Sequence, residues 1–309
     1  MSAALAIELT PNKKAMKSIL SDGFDEKSKQ ARAALLEAIT NGSRKEVEKR
    51  LLDAPRVWAR LFGPSPLVVA ARTGNADMVE LLIGKFAGFD EDPMGASALF
   101  MALEQGDLAS ARLLLPVSDM EHVDRLGRNA LHFAIRAENP AVIDFVVETH
   151  GKSLARTPSA LDETPLMSAV AFPRKNIVGL LRKLGPISDL EARDKMGRTA
   201  LMAATKGDEK AVAFLAERCD LGAVDKNGKT AIDLAWGKEK WAAIDAMAPW
   251  MSDAQIDALE KRDRYAAKNF PWISARKEAR EMRKEVLGGA SRAHGTPAIS
   301  TGRRAPKAL

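Results

Sequence analysis

The chain has 309 residues, 46% of them apolar, one cysteine and a formal net charge of +6. Enough apolar surface exists to build a core, which excludes wholesale disorder, and the lone Cys219 excludes an internal disulfide and fits a reducing compartment. The charge is uneven: residues 1–250 hold 34 Lys and Arg against 34 Asp and Glu, while residues 251–309 hold 13 against 7, so the whole excess sits in the C-terminal segment.

Residues 1–30 read as an irregular or partly helical N-terminal segment. The opening "MSAALAIELT" lacks a basic leader, and Glu8 interrupts its apolar run, so it does not read as a signal peptide. No stretch is long and apolar enough to span a bilayer.

From residue 31 to 250 one unit is rewritten. An apolar residue recurs as Leu67, Leu99, Leu131, Leu166, Leu201 and Ile232, at spacings of 32, 32, 35, 35 and 31, and one step back gives Leu35 in a weaker copy. Three positions after each stands alanine: Ala38, Ala70, Ala102, Ala134, Ala169, Ala204 and Ala235. A small side chain there lets neighbouring helices approach closely. Two positions before come Ser65, Ser97, Asn129, Thr164, Thr199 and Thr230, all N-cap residues, and Pro or Ala follows at the first helical position. A helix is therefore predicted to begin at Pro66, Ala98, Ala130, Pro165, Ala200 and Ala231.

Upstream, Asp92, Asp124, Asp194 and Asp225 each precede a glycine by three residues, which is the chemistry of a tight turn. The fourth full copy has Ser159 and Asp162 instead, and its turn is expected to survive in altered form because Asp tolerates the left-handed region. A second apolar helix follows each first one, as in "MVELLI" (78–83), "VIDFVV" (142–147) and "IVGLL" (177–181).

The phrases "DRLGRNALHFA", "ETPLMSA" and "DKMGRTALMAA" resemble the ankyrin-repeat motif Asp-x-x-Gly-x-Thr-Pro-Leu-His-x-Ala-Ala. Only His132 keeps the family histidine, and only two copies keep the proline. The resemblance implies an all-α ankyrin-repeat solenoid: about seven stacked helix-turn-helix units joined by β-hairpin-like turns. It also implies a cupped hand whose hairpin tips are fingers and whose first helices line a palm. Partners of such arrays touch residues beside the turn glycine and on the first helix.

In this chain the corresponding positions are basic: Arg125, Lys195 and Lys226 after the turn Asp; Arg128, Arg198 and Lys229 after the glycine; Arg72, Arg136 and Lys206 on the first helix. Met94, Leu126 and Met196 are apolar candidates at the tips. Stacking lines the cations into a stripe suited to an acidic protein surface. The stripe is absent from the second copy (Pro93, Ala96, Glu104) and broken in the fourth (Ala160, Glu163, Ala171). The alternative is that Lys and Arg simply keep exposed turns soluble.

Chemistry-bearing patterns do not appear. His122, His132, His150 and His294 lack metal-ligand spacing with one another or with Cys219. "GKFAGF" is not a phosphate loop, and there is no nucleophile elbow. No cofactor, metal or small-molecule substrate is expected, and the chain reads as non-enzymatic. By resemblance, His132 hydrogen-bonds within the repeat turn.

At the ends, "SRKEVEKRLL" carries Glu46, Lys49 and Arg50 as the polar face of an N-terminal cap. Trp236, Trp241, Trp250 and Trp272 cluster in and after the last copy, either as a C-terminal cap or as an aromatic groove. Residues 251–287 read as two helices: one opened by a Ser252/Gln255 capping box and ended at Pro271, the next with Ala275, Ala279, Met282 and Val286 on one face and Gly288–Gly289 as its stop. Residues 288–309 read as a basic disordered tail.

These features predict a protein–protein interaction module, an adaptor or scaffold working through tips and palm, and a cytoplasmic location. Two alternatives use the basic C-terminal segment. In one it contacts nucleic acid or an anionic membrane. In the other, "TGRRAPKAL", which looks like the basic C-termini of type IV-secreted proteins, marks a bacterial effector delivered to a host.

Overall fold

The computed structural model describes residues 26–53, 64–86, 91–262 and 269–293. They belong to two compact units that divide between Met247 and Ala248. Residues 1–25, Gly63 and the segment 294–309, with His294, lie outside the described residues.

The first unit is a succession of helix pairs: α1 (Glu26–Thr40) and α2 (Arg44–Asp53), α3 (Pro66–Arg72) and α4 (Ala76–Phe86), α5 (Ala98–Gln105) and α6 (Leu108–Leu114), α7 (Ala130–Arg136) and α8 (Pro140–Leu154), α9 (Pro165–Val170) and α10 (Ile177–Leu184), α11 (Ala200–Ala204) and α12 (Glu209–Ala216), α13 (Ala231–Trp236) and α14 (Trp241–Met247). First helices pack on first helices along the unit, and second helices on second helices. The first pair begins earlier than the sequence suggests, at Glu26 rather than near residue 31.

The six predicted caps are in place. Ser65, Ser97, Asn129, Thr164, Thr199 and Thr230 hold extended backbone, and each side chain accepts from an amide of the first turn. The recurring alanines are all buried, six at 0% exposure and Ala38 at 6%. A larger side chain at any of them would hold neighbouring first helices apart.

The turns follow the same rule. Asp92, Asp124, Asp194 and Asp225 each accept two backbone amides on Oδ1, as Asp124 does from Leu126 (2.9 Å) and Arg128 (2.8 Å). In the departing copy, Ser159 Oγ accepts from Leu161 and Asp162 takes φ +57, the left-handed geometry that glycine supplies elsewhere. The turn is kept with different residues.

A backbone ladder runs along the tips. From the third full copy on, each tip donates a backbone amide to the carbonyl of the tip before it: Arg125 to Met94 (2.8 Å), Ala160 to Leu126 (2.7 Å), Lys195 to Leu161 (3.0 Å) and Lys226 to Met196 (2.9 Å). The ladder passes straight through the altered fourth copy. Among the described residues the only β-pairing is the bridge between Glu91 and Ser97.

At the N-terminal end, α2 keeps the polar character expected of it, with Lys49 exposed and the pairs Arg44–Glu48 and Arg50–Glu46 along the helix. Trp236 packs edge-on against Trp241 at 5.2 Å within the last pair of the first unit.

In the second unit, α15 (Asp253–Arg262) opens with the expected capping box: Ser252 N–H donates to Gln255 Oε1 (2.9 Å), and Gln255 N–H donates to Ser252 Oγ (3.3 Å). Trp272 lies beside Phe270 at 5.7 Å. The last helix departs from the sequence reading in three ways. α16 spans Pro271–Ala293, so Pro271 opens this helix, where its missing N–H costs nothing, and Gly288–Gly289 does not stop it. Of the predicted apolar face, Ala275, Ala279 and Met282 are exposed, and the side chain of Val286 lies outside the described residues. The packed side holds Ile273 and long cations instead. Arg276 donates to the carbonyls of Ala248, Pro249 and Met251, Lys277 pairs with Glu260, and Arg280 pairs with Asp257. Basic stems cover apolar surface while their heads find acceptors, which an apolar-periodicity count does not register.

Candidate partner-binding surface

The tips carry the most distinctive surface of the first unit. Met94, Leu126 and Met196 are 43%, 47% and 48% exposed, as their tip positions suggest. The structure adds Leu161, 58% exposed, at the equivalent place in the departing copy. The backbone ladder joins these four residues in one line. Large apolar side chains at such exposure bury readily against a partner, and a fixed backbone lowers the ordering cost of doing so.

The basic stripe divides into two groups. Arg128 and Arg198 are tied to their own turn aspartates, Arg128 to Asp124 at 2.7 Å and Arg198 to Asp194 at 2.6 Å, with both carboxylates buried. Arg128 also lies 4.7 Å over the Phe133 ring. Arg136 pairs with Glu104 at 3.0 Å, so the gap in the second copy is a counter-charge. Arg72 sits 3.6 Å from Asp92 and donates to Met101 sulfur. Arg128 and Arg198 are thus spent on their turns, while Arg72 and Arg136, half-exposed, each have a counter-charge nearby. Arg125, Lys195, Lys206, Lys226 and Lys229 are exposed and have no ion pair within 4.0 Å among the described residues.

Asn129 and His132 form the polar centre beneath the tips. Asn129, 0% exposed, accepts from the Leu131 and His132 amides and donates from its side-chain nitrogen to Leu154 O (2.8 Å) and Thr157 O (3.3 Å). His132 Nδ1 accepts from Asn129 N–H (3.3 Å), which leaves Nε2–H to donate to Glu163 O (3.2 Å) in the next turn. The histidine therefore links two repeats.

Burial pushes the His132 pKa down to about 4, from an ordinary value near 6.5. Both folded and unfolded chains hold it neutral above about 6.5. As pH falls below that, the unfolded chain takes the proton first, so stability is lost between about 6.5 and 4. The expected loss is about 3 kcal/mol. Denaturant titrations from pH 7.5 to 4 should show this slope in the wild-type chain and a shallower one in His132→Gln; equal slopes would remove His132 as the cause.

Cys219 is buried, and its thiol is pushed up to about 12 by desolvation and by the Glu191 carboxylate, so it is a poor nucleophile. Among the described residues no group of three His, Cys, Asp or Glu side chains is placed to hold a metal ion, and no helix is long and apolar enough to cross a membrane.

On the palm, a groove of about 730 Å³ opens across α7, α9 and α11. Arg136, Lys206 and Phe172 stand at it, and Phe172 is 68% exposed. Sequence reading passed over Phe172, which lies in the loop after α9 and outside the repeated phrase.

A family model described as ankyrin repeats matches residues 35–121 and 99–189. The chain belongs to the ankyrin-repeat family. Among solved structures, this ankyrin-repeat chain is similar to the ankyrin repeat domain of Bcl-3, a member of the IkappaB protein family. The TM-score is 0.53 and the identity 20%, covering 70% of this chain and 97% of that one. At that identity the likeness is one of fold. Among curated proteins it is similar to an L-asparaginase of Dirofilaria immitis, 31% identical over 139 residues, which is 44% of this chain and 23% of that protein. It is also similar to the transient receptor potential cation channel subfamily A member 1 of Homo sapiens, 30% identical over 186 residues, which is 55% of this chain and 16% of that protein. The chain thus spans less than a quarter of either relative. Ankyrin repeats are protein–protein interaction modules as a class.

Proposed function

We propose that this ankyrin array is a non-enzymatic adaptor that recognises a partner protein through its hairpin tips and palm. The observation that carries the reading is the line Met94–Leu126–Leu161–Met196, large apolar side chains held at the surface by a backbone ladder. A fold has no use for exposed apolar residues repeated at one register, whereas an interface centre does. Arg125, Lys195, Lys226 and Lys229 flank this line with free positive charge, so the partner surface is apolar with an acidic rim.

Changing Leu126, Leu161 and Met196 together to serine should leave thermal unfolding within a few degrees of the wild type, because all three side chains are exposed. It should weaken capture of a partner from native lysate at least tenfold, scored by quantitative mass spectrometry of matched pull-downs. Undiminished capture would count against the tips. The excess charge of residues 251–309 supports a rival reading, in which that segment binds nucleic acid or an anionic membrane. Truncation after Met247 separates the two: the adaptor keeps its partner and the rival loses its ligand.

A further inference from the structure

The palm groove is written into the sequence as missing side chains. Two positions after the aligned apolar residue, neighbouring copies carry Val69, Met101, Phe133 and Leu234, but the fourth and fifth full copies carry Ser168 and Ala203. Five positions after it stand Arg72, Glu104, Arg136 and Lys206, but Ala171 in the fourth copy and Gly237 in the last. Ser168, Ala171 and Ala203 all line the groove of about 730 Å³, so larger side chains at these positions would fill part of it. The break in the basic stripe is therefore an opening.

The groove is lined by two chemically distinct groups. Phe172 offers a ring 68% exposed. Lys206, also exposed, has no ion pair within 4.0 Å among the described residues. Two of the lining carboxylates are already engaged, Asp194 by Arg198 and Glu138 by Arg174. Arg174 is itself fixed, donating to Ile135 O (2.8 Å) and Ala169 O (3.0 Å), so the wall it forms is rigid. Lys206 is held below the usual lysine range by partial desolvation, then by repulsion from Arg198 and Lys238. Arg128, Arg136, Arg174, Arg198 and Lys206 line the groove against Glu138, Glu163 and Asp194, so the cations are in excess and an incoming anion is favoured there.

We infer that this groove takes a short peptide segment of the partner, with a carboxylate side chain set at Lys206 and an adjacent large apolar side chain laid against Phe172. The inference rests on the adaptor reading and specifies what the palm recognises. The volume suits a few residues of extended or turn-forming chain.

The test is selection of a random twelve-residue phage-displayed peptide library on the full chain, followed by affinity measurement on variants. The selected peptides should pair Asp or Glu with a neighbouring large apolar residue. Their affinity should fall at least tenfold in Ala171→Arg, which refills the groove from a half-exposed helix end, and in Lys206→Glu, while Lys206→Arg should retain binding. Phe172→Ala should weaken peptides in proportion to the size of their apolar residue. Circular dichroism melts establish that each variant is folded. Failure to enrich any peptide over the Ala171→Arg chain, or peptides indifferent to both Ala171→Arg and Lys206→Glu, would overturn the groove. The tip variant Leu126→Ser/Leu161→Ser should bind groove peptides normally. Loss of the groove result with tip-dependent partner capture intact would therefore sink this inference alone and leave the adaptor reading standing.

Discussion

Asn129→Ala is expected to lower the unfolding free energy of the first unit by about 2–3 kcal/mol. The side chain does two things at once. Its oxygen caps α7 by accepting the Leu131 and His132 amides, a contribution of about 1 kcal/mol. Its nitrogen donates to Leu154 O at the end of α8 and to Thr157 O in the loop that follows. Alanine removes the 2.8 Å bond to Leu154 O and leaves that carbonyl only the 3.3 Å bond from Thr157 N–H, while Thr157 is exposed to water, so the two lost bonds together cost about 1–2 kcal/mol. Ser65→Ala removes only a cap bond at the same register and should cost about 1 kcal/mol. Urea unfolding of the two variants should show this contrast; equal costs would mean that Asn129 acts as a cap alone. In a stacked array the loss should also be local, with hydrogen exchange rising first in α7 and α8.

The second large effect is at a tip. Gly127→Ala is expected to cost about 3–5 kcal/mol, while the equivalent Gly228→Ala costs about 1–2 kcal/mol. Both glycines hold φ +71, so an L side chain pays the same conformational strain at each. They differ in what a Cβ would meet. At Gly127 it would lie 2.5 Å from Ala160 N and 3.0 Å from Ser159 C, both backbone atoms of the next turn, whereas at Gly228 nothing lies within 4 Å. To make room the turns must separate, which breaks the 2.7 Å bond from Ala160 N–H to Leu126 O. Paired denaturant melts measure the difference directly. If the two substitutions cost the same, the tips are not in close register and the ladder is not holding them.

The sequence made the repeat legible because the residues that define it act through side chains. A cap needs a short polar side chain, a close helix contact needs alanine, and a turn needs Asp and Gly at fixed spacing. Each leaves a letter at a regular period. The tip ladder leaves none, since its donors and acceptors are backbone groups common to every residue. Leu161 was missed for a related reason: its copy lacks both the Asp and the Gly that flag a tip, although Ser159 and Asp162 rebuild the same turn.

The basic stripe shows the opposite error. Arg128 and Arg198 fit a surface stripe by position, but each stands four residues after a turn aspartate, Asp124 or Asp194, and pairs with it. Arg136 pairs across repeats with Glu104, a partner 32 residues away that only stacking brings close. The groove was hidden because it consists of side chains that are not there. Ser168, Ala171 and Ala203 become informative only beside Phe133, Leu234 and Lys206 at the same register. In α16 the apolar count favoured Ala275, Ala279 and Met282, yet the packed side is organised by Arg276, whose guanidinium collects three carbonyls.

The central claim is that the tips meet a partner protein. The most direct measurement is site-specific photo-crosslinking in the native host, with a photoreactive phenylalanine analogue placed singly at Leu126, at Leu161, and at Arg182 on the exposed side of a second helix. The account predicts that one and the same protein is trapped from Leu126 and from Leu161, and that Arg182 does not trap it. No protein adduct at either tip, or an adduct of equal yield from Arg182, would contradict it.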